Sequence, residues 1–277
     1  MLFQTNEPAE RKDVVADAVK KRSIAFEGIS NARDLGGLQT VSGHMISPGC
    51  LIRSANLADA TQSDKRKLRE YWHIAKIIDL RTEIERRERP DVSLPHTDYL
   101  TIPIFTESMA GISHEKSLTV EQLFAVAPRM EQLYRQIVTD ELCRKNLGRA
   151  ARCVMEHDFS KGSVLWHCTE GKDRCGLLSA VLLLALGVDR GTITEDYMLT
   201  NHVNEAKAER YAQMLRASGK TEAEAARMRD MFLAKEEYLN EAFLAIDEQY
   251  KSIDAFLCDG LDIPSELILR FQESVLC

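Results

Sequence analysis

Short apolar runs alternate with longer amphipathic segments between residues 23 and 187. Five runs have the length and composition of strands, and they lie at 23–27, within 46–53, and at 75–81, 99–104 and 163–167. The stretch 46–53 contains a turn at Pro48-Gly49 and then a strand that ends at Arg53. Segments with helical periodicity separate these runs, at 61–72, 83–89, 119–138 and 140–157. Strands that alternate with helices predict an α/β fold, with a parallel-type central sheet flanked by helices.

The pattern beyond Gly187 is almost entirely helical. Two long helices are predicted at 192–216 and 222–258, separated at 218–220, and Pro264 is expected to open the last helix. The notable apolar side chains of this half are Met214, Leu215, Met228, Met231 and Phe232. Such side chains are typical of helical stripes that face a core.

The strand at 163–167 leads into the stretch around which the chain is organised. Residues 176–186 are apolar on every side and predict a helix wrapped by other elements, with Gly187 well placed to end it. Between strand and helix, Cys168 and Arg174 have the spacing Cys-x5-Arg. A glycine-containing loop between a strand and a buried helix is typical of an anion-binding site.

Each part of this loop has a chemical role. Successive backbone N–H groups at a helix N-terminus form a cradle for one phosphate, and Gly171 lets the ring close without a Cβ. Cys168 would lie where these groups favour a thiolate, and such sites lower a cysteine pKa from about 8.5 to roughly 3.5–7.5. Arg174 offers a planar fork for two phosphoryl oxygens. The loop therefore predicts phosphoryl transfer through phosphocysteine, with no metal or other cofactor.

The run at 167–176, His-Cys-Thr-Glu-Gly-Lys-Asp-Arg-Cys-Gly, resembles the signature of the cysteine-dependent protein tyrosine phosphatases. It is most similar to a bacterial tyrosine/serine and lipid-phosphatase-like branch, whose loop carries Lys-Asp before the arginine. Further stretches that match this branch lie at 31–37, 51–55, 78–85 and 237–254. The resemblance covers about residues 24–277.

This resemblance implies a protein tyrosine phosphatase-like fold with a largely helical C-terminal half. We expect a lead-in at 1–22 and a single phosphatase domain at 23–277. The family also suggests a helical lid around 205–235, as an alternative to simple core stripes, with methionines adapting to varied contacts.

Four aspartates are candidates for protonating the leaving oxygen, of which Asp140 lies between two predicted helices without a geometric constraint. Asp158 precedes the 163–167 strand, which places it at the opposite edge of the sheet and makes it an unsuitable acid. Asp79 ends a strand on the same edge as Cys168 if the strands are parallel. The branch is thought to use its loop aspartate, so Asp173 is the first choice and Asp79 the second. The alternative for Asp173 is a loop-stabilising acceptor.

The other loop residues are candidates for substrate binding, together with Thr169 and Gly171. Lys172 is expected to add a positive charge for a second phosphate or an acidic substrate, unless it is simply solvated. His167 is expected to orient the loop and favour the thiolate, although a buried structural histidine has the same sequence pattern. Arg53 is a weaker candidate, because such arginines are more often salt-bridge partners.

Glu170 and Cys175 depart from the family pattern. Glu170 replaces a small or apolar residue, and a carboxylate at the pocket rim disfavours very acidic ligands such as polyphosphorylated lipids. Cys175 replaces the serine or threonine whose hydroxyl donates to the thiolate. Because a thiol is a weaker donor, slower turnover of phosphocysteine is expected. Cys175 could also form a disulfide with oxidised Cys168, or merely fill space.

Composition limits the partners and the location. The chain of 277 residues has a net charge of −7, which argues against general affinity for nucleic acid. Seven irregularly spaced cysteines indicate a reducing compartment rather than a disulfide framework. Neither an apolar signal core nor a run long enough for a membrane span is present. We expect a cytoplasmic protein without integral membrane association, with a signal-less secretion route left open.

The leading hypothesis is a phosphomonoester hydrolase that acts on phosphotyrosine in proteins or peptides, with dual or triple specificity as an extension. One alternative is a phosphoinositide or inositol phosphatase with little activity on protein. A second is a phosphate-binding scaffold that traps phosphopeptides without turnover. The presence of Cys168 and Arg174 argues against the scaffold hypothesis. Cys175, which replaces the hydroxyl residue that assists turnover, keeps this hypothesis as an alternative.

Overall fold

A five-stranded sheet forms the centre of the computed structural model, which describes residues 22–107 and 129–277. Its strands are β1 (Arg33–Asp34), β2 (Leu51–Ser54), β3 (Ile74–Asp79), β4 (Asp98–Thr101) and β5 (Ser163–His167). Their spatial order is β1-β2-β5-β3-β4, with β1 antiparallel to β2 and all other neighbours parallel. The predicted α/β fold with a parallel-type central sheet is confirmed.

Helices connect and cover the strands in the first part of the chain. They are α1 (Gln62–Arg66, continued by a π-helical turn at Lys67–Tyr71), α2 (Glu83–Glu88), α3 (Met130–Thr139), α4 (Glu141–Met155) and α5 (Asp173–Ala185). Thr61 and Thr82 start α1 and α2 with reciprocal capping boxes. Of the helix predicted at 119–138, residues 119–128 lie outside the described residues.

The helices of the second half are shorter than the sequence pattern predicts. They are α6 (Arg190–Met198), α7 (Asn201–Ala217), α8 (Glu222–Phe232), α9 (Glu236–Gln249), α10 (Ile253–Ala255, continued by a π-helical turn at Phe256–Gly260) and α11 (Ser265–Val275). The prediction of uninterrupted helices at 192–216 and 222–258 is therefore wrong. The Asn201 side chain holds the break after α8, because it bonds both the N–H (2.7 Å) and the carbonyl (2.9 Å) of Ala234.

Two predicted strands also differ from the structure. Residues 23–27 form no strand, and Ser23 makes a single bridge to Arg33. The strand predicted at 99–104 ends at Thr101. Beyond Thr101, Ile102 and Ile104 still donate their N–H groups to the carbonyls of Asp79 (2.9 Å) and Leu80 (3.3 Å), so the chain stays beside β3.

Alternate residues of the strands face different clusters, as the pleat of a sheet requires. Ile77 and Leu165 belong to a small cluster that also contains Leu68 from the π-helical turn. Ile78 and Trp166 belong to the main core, which is shared with α3, α4, α5, α9 and α11. The packing explains why the central strands are apolar on both faces.

Helix α5 is enclosed by the main core, as its sequence predicts. All its residues are buried except Asp173 and Leu184. Gly187, with a φ of +78°, ends the helix and donates its N–H to the Leu184 carbonyl. Because α5 is buried along its length, its N-terminus is fixed beneath the loop that follows β5.

Helices α7 and α8 form a pair with an apolar cluster of its own. Its members include Ala208, Leu215, Ala225, Met228 and Phe232, whereas Met214 is exposed. This helix pair is thus a distinct packing unit, and its apolar stripes are satisfied mainly within it. No helix in the described parts of the chain has the length and apolar character needed to cross a bilayer.

Candidate active site

The loop at 168–172 lies at the carboxyl end of β5, between the ends of β2 and β3. Ser54 and Asp79 are both in register with His167, the last residue of β5. Gly171 has a φ of +67°, and a Cβ there would lie 2.6 Å from the Ser54 carbonyl oxygen. Only glycine fits this position without displacing backbone. The loop therefore occupies the edge at which parallel sheets bind ligands.

The loop carbonyls point outward to donors on neighbouring segments. The pairs are Asn56 Nδ2 with Thr169 O (2.9 Å), Asn31 Nδ2 with Glu170 O (2.9 Å), Arg53 with Gly171 O (2.8 Å) and Gly176 N with Lys172 O (2.7 Å). The N–H of a trans peptide points opposite to its carbonyl. Carbonyls held outward leave the intervening N–H groups directed into the ring, where they can bind an anion.

Cys168 lies buried at the base of this ring, with 2% of its surface exposed. Burial alone would raise the pKa of its thiol, but a hydrogen bond from Cys175 and the positive charge of Arg174 lower that pKa to about 6. Burial and the neighbouring thiolate raise the pKa of Cys175 well above its usual value. At neutral pH, Cys168 is therefore a thiolate and Cys175 remains a thiol, which also lies 3.7 Å from the Ser54 carbonyl oxygen.

The Arg174 guanidinium is held by a carboxylate from α2. Its two terminal nitrogens donate to the Glu85 oxygens at 2.6 and 2.7 Å, and both residues are buried. Burial alone would raise the pKa of Glu85, but the charge and hydrogen bonds of Arg174 lower it well below its usual range. Thr169 also donates to Glu85, and the guanidinium lies over the Phe105 ring. A bidentate pair of this kind fixes the plane of the fork.

Arg53 supports the loop from behind and does not line its mouth. It is 1% exposed, donates to the carbonyls of Gly171 and Lys172, and pairs with Asp196 on α6 at 3.1 Å. Asp196 also lies 3.5 Å from the Arg33 guanidinium. These contacts are those of a residue that positions the loop, and the expected role of Arg53 in substrate binding stays a prediction.

Lys172 and Glu170 connect the loop to the helix pair. The Lys172 ammonium is 2% exposed and donates to the carbonyls of Met231 and Leu233. Glu170 forms an ion pair with Lys207 on α7 at 2.8 Å. In this arrangement the expected free cation of Lys172 is used to hold the helix pair against the loop, and the carboxylate of Glu170 is balanced.

His167 and Asp79 belong to a buried polar cluster next to the ring. The His167 Nε2 lies 3.0 Å from Asp91, and burial, which lowers its pKa, is outweighed by the Asp79 and Asp91 carboxylates, which raise it. Arg81 bridges both carboxylates at 2.7–2.8 Å, and Tyr99 donates to Asp79 at 2.7 Å. The His167 Nδ1 also lies 3.3 Å from the Cys168 carbonyl oxygen, so it can orient the start of the loop.

This cluster also brings together atoms that could bind a metal. Among the described residues, Asp79, Asp91 and His167 place ligand-type atoms within 4.8 Å of one another. The Arg81 guanidinium already lies between the two carboxylates and supplies the positive charge that such a site would need. The donor set is therefore that of an ion-pair network rather than a metal centre.

Asp173 is the first residue of α5 and is partly exposed, at 23% of its side chain. Its Oδ1 accepts a hydrogen bond from Tyr134 at 2.7 Å and lies 3.5 Å from the Lys172 ammonium. Tyr134 is in turn 2.6 Å from the hydroxyl of Tyr197. The structure thus places one carboxyl group at the ring that is both accessible and oriented.

Several of these partners carry no local signal in the sequence. Glu85 appears in the sequence only as part of a matching stretch, and Asp91, Tyr134, Asp196 and Tyr197 are unremarkable in their segments. Each acts on the loop across a long sequence separation, such as 89 residues for Glu85 and Arg174. An acidic residue three positions after a threonine cap predicts the start of α2, but not the arginine that it binds.

A low-pKa cysteine and a fixed arginine on one strand–loop–helix unit define a cysteine-dependent phosphatase site. Residues 24–277 match the tyrosine phosphatase family, and the chain belongs to that family. The protein is a cysteine-dependent phosphatase that hydrolyses phosphoric monoesters.

Relatives of known name agree with this class. A Cupriavidus necator protein, provisionally named a tyrosine-protein phosphatase, is 30% identical over 244 residues, covering 88% of this chain and 85% of its own. The triple specificity protein phosphatase PtpB of Mycobacterium tuberculosis is 29% identical over 264 residues, covering 84% and 92%. The structure of PTPMT1 in complex with PI(5)P aligns with a TM-score of 0.38 at 11% identity, covering 75% of this chain and 94% of its own.

Replacing Cys175 is expected to make the Cys168 thiolate less stable. Cys175→Ala removes a donor to a charged acceptor, so the pKa of Cys168 should rise from about 6 by roughly one unit, given the strength of charge-assisted hydrogen bonds and the weakness of a thiol donor. The measurement is the pH dependence of iodoacetamide alkylation, followed on the Cys168 peptide by mass spectrometry. Cys143→Ala, which removes another buried thiol, should leave the midpoint unchanged. An unshifted midpoint in Cys175→Ala would show that the thiol is no donor.

Hydrogen peroxide is expected to convert the two active-site thiols to a disulfide. The Cys168 thiolate attacks a peroxide oxygen to give sulfenic acid and hydroxide, and the Cys175 sulfur then displaces water from the oxidised sulfur. Wild type should recover activity with dithiothreitol and yield a linked Cys168–Cys175 peptide. Cys175→Ser should lose a larger fraction irreversibly. If both proteins recover equally and no linked peptide is found, Cys175 acts only in packing and hydrogen bonding.

Proposed function

We propose that this phosphatase hydrolyses phosphotyrosine in proteins or peptides through a covalent phosphocysteine at Cys168. The observation that carries the proposal is the pairing of a low-pKa, buried thiolate with Arg174 on one rigid loop. The burial of Cys168, which is 2% exposed, favours a long aryl phosphate over a short alkyl phosphate. The phosphocysteine route and the roles of individual residues are part of the proposal.

In the first step, the phosphoryl group occupies the ring of loop N–H groups. The guanidinium of Arg174, whose plane is fixed by Glu85, binds oxygens of this phosphoryl group. The Cys168 thiolate attacks phosphorus as the bond to the tyrosyl oxygen breaks. Asp173 transfers its proton to that oxygen, so the leaving group departs as a neutral phenol.

In the second step, water attacks the phosphocysteine. The Asp173 carboxylate accepts a proton from this water, phosphate forms, and Cys168 leaves as a thiolate. Cys175 donates to the departing sulfur, as it does in the free protein. A thiol donor stabilises the thiolate less than a hydroxyl would, so we propose that this step limits turnover.

Asp173 rather than Asp79 is the acid in this scheme. Asp79 is completely buried, and Arg81 and Tyr99 donate to its oxygens. Asp173, by contrast, lies at the start of α5 with 23% of its side chain exposed. The position of Asp79 instead supports a role in holding His167 and the end of β5.

Two contacts support a substrate with a single phosphate. Lys172 is buried against the helix pair, so in this arrangement it offers no charge to a second phosphate. Glu170 lies at the rim with Lys207 as its partner. In this proposal the pair of helices α7 and α8 acts as the lid over the site.

The seven cysteines are free thiols, which supports a reducing location such as the cytoplasm.

The test of the proposed function is hydrolysis of a phosphotyrosyl peptide in buffer that contains EDTA. Wild type should release phosphate, whereas Cys168→Ser should release none but still bind inorganic phosphate. Arg174→Ala should lose roughly 10²–10³-fold in rate, the usual effect of removing one transition-state donor. Cys258→Ser, which changes a cysteine outside the site, is the matched control. Substantial turnover by Cys168→Ser would contradict the phosphocysteine mechanism, and faster hydrolysis of phosphoinositides would replace the proposed substrate.

The acid is tested by varying the leaving group. Asp173→Asn should slow the hydrolysis of aryl phosphates with poor leaving groups by about 10²–10⁴-fold and leave good ones nearly unchanged, because only poor leaving groups need a proton. Asp158→Asn, an exposed aspartate distant in the fold, should change neither. An equal loss on all leaving groups in Asp173→Asn would assign this residue a structural role and direct the same test to Asp79→Asn.

A further inference from the structure

Two buried tyrosines connect Asp173 to the helices around the site. Tyr134 on α3 is 0% exposed and Tyr197 on α6 is 1% exposed. The Tyr134 hydroxyl lies 2.7 Å from Asp173 Oδ1 and 2.6 Å from the Tyr197 hydroxyl. We propose that Tyr134, supported by Tyr197, is a positioning residue that orients the acid Asp173 and decides which of its oxygens carries the proton. This inference rests on the proposed function of Asp173.

The direction of the hydrogen bonds follows from the number of protons. Burial and the negative charge of Asp173 raise the pKa of Tyr134 well above its usual value, and the pKa of Tyr197 is raised for the same reasons. Both phenols therefore keep their single proton. An ionised carboxylate can only accept, so Tyr134 donates to Asp173, and its oxygen is left to accept from Tyr197. The chain runs in one direction, from Tyr197 through Tyr134 to Asp173.

This direction has a consequence for proton transfer. Because Oδ1 already accepts from Tyr134, the proton of the neutral acid belongs on Oδ2. A carboxyl group at a helix start would otherwise rotate and expose either oxygen. Holding one oxygen fixes the oxygen that donates to the leaving group, which is the geometric requirement of general acid catalysis.

Other charged and titratable groups also face Asp173. The Lys172 ammonium lies 3.5 Å from Oδ1, and the Cys168 thiolate and the Tyr238 hydroxyl of α9 interact with its charge. Tyr134 is the phenol that contacts the carboxylate directly. Tyr134→Phe removes this contact, so the pH–rate profile of that variant is compared with those of the controls.

A purely structural role makes a different prediction. The rings of Tyr134, Tyr197 and Tyr238 lie about 6 Å apart in one aromatic cluster, at 6.0 and 5.8 Å from Tyr134. Tyr238 shares this packing, but its hydroxyl donates to the Asp230 carbonyl at 3.1 Å. Tyr238→Phe is thus a matched control, which removes a phenol from the same cluster without removing the bond to Asp173.

The experiment compares Tyr134→Phe, Tyr197→Phe and Tyr238→Phe with wild type. Rates are measured on aryl phosphates with good and poor leaving groups across pH, with the thermal midpoint recorded for each protein. Tyr134→Phe should lose about 10-fold on poor leaving groups and little on good ones, as expected for one hydrogen bond to a charged group. Tyr197→Phe should lose less, and Tyr238→Phe should show no selectivity. Tyr134→Phe combined with Asp173→Asn should be no slower than Asp173→Asn alone.

The outcomes separate this inference from the proposed function. If Asp173→Asn shows the leaving-group effect but Tyr134→Phe matches Tyr238→Phe in selectivity and pH profile, the positioning role is refuted and the acid stands. If Asp173→Asn shows no such effect, the assignment of the acid fails first. Should Tyr134→Phe be unfolded, Tyr197→Phe carries the test, and an unchanged leaving-group dependence in that folded protein overturns the proposal.

Discussion

A loop that turns its N–H groups toward an anion must find donors for the carbonyls that then point away. Here each outward carbonyl from Thr169 to Lys172 has such a donor. Asn31, Arg53 and Asn56 supply them from the segments around β1 and β2, while Gly176 supplies one from α5. An unpaired buried carbonyl costs about 1–3 kcal/mol. The shape of the ring therefore depends on side chains that lie outside the loop.

The same requirement explains the buried charges behind the loop. Arg53 can donate to the loop only if its own charge is balanced, and Asp196 provides this balance while also facing Arg33. Burial alone would raise the pKa of Asp196, but the surrounding arginines lower it. Removing one member of such a network leaves an uncompensated buried charge, which is strongly destabilising. Arg53 thus holds two loop carbonyls in place, whereas its sequence position first suggested a ligand contact.

The difference between what could and could not be predicted follows the range of the interactions. The strand, the loop and α5 are contiguous, so apolar content, Gly171 and the Cys168–Arg174 spacing sufficed to predict them. The partners of Asp173 and Arg174 come from elements 39 and 89 residues away, and no periodicity specifies them. The break between α8 and α9 has the same cause. Its backbone groups are bonded by Asn201 and Lys172, so tertiary contacts override a continuous helical pattern.

Charge balance also explains how a chain of net charge −7 can favour a phosphate. The buried arginines around the site are matched by carboxylates: Arg174 by Glu85, Arg53 and Arg33 by Asp196, and Arg81 by Asp79 and Asp91. The opposite charges of each pair cancel at a distance, so little long-range attraction for anions remains. What stabilises the Cys168 thiolate is local and directional, namely the Cys175 donor, the Arg174 charge and the inward N–H groups. Anion affinity in this protein is therefore a property of the orientation of its dipoles, which does not depend on its total charge.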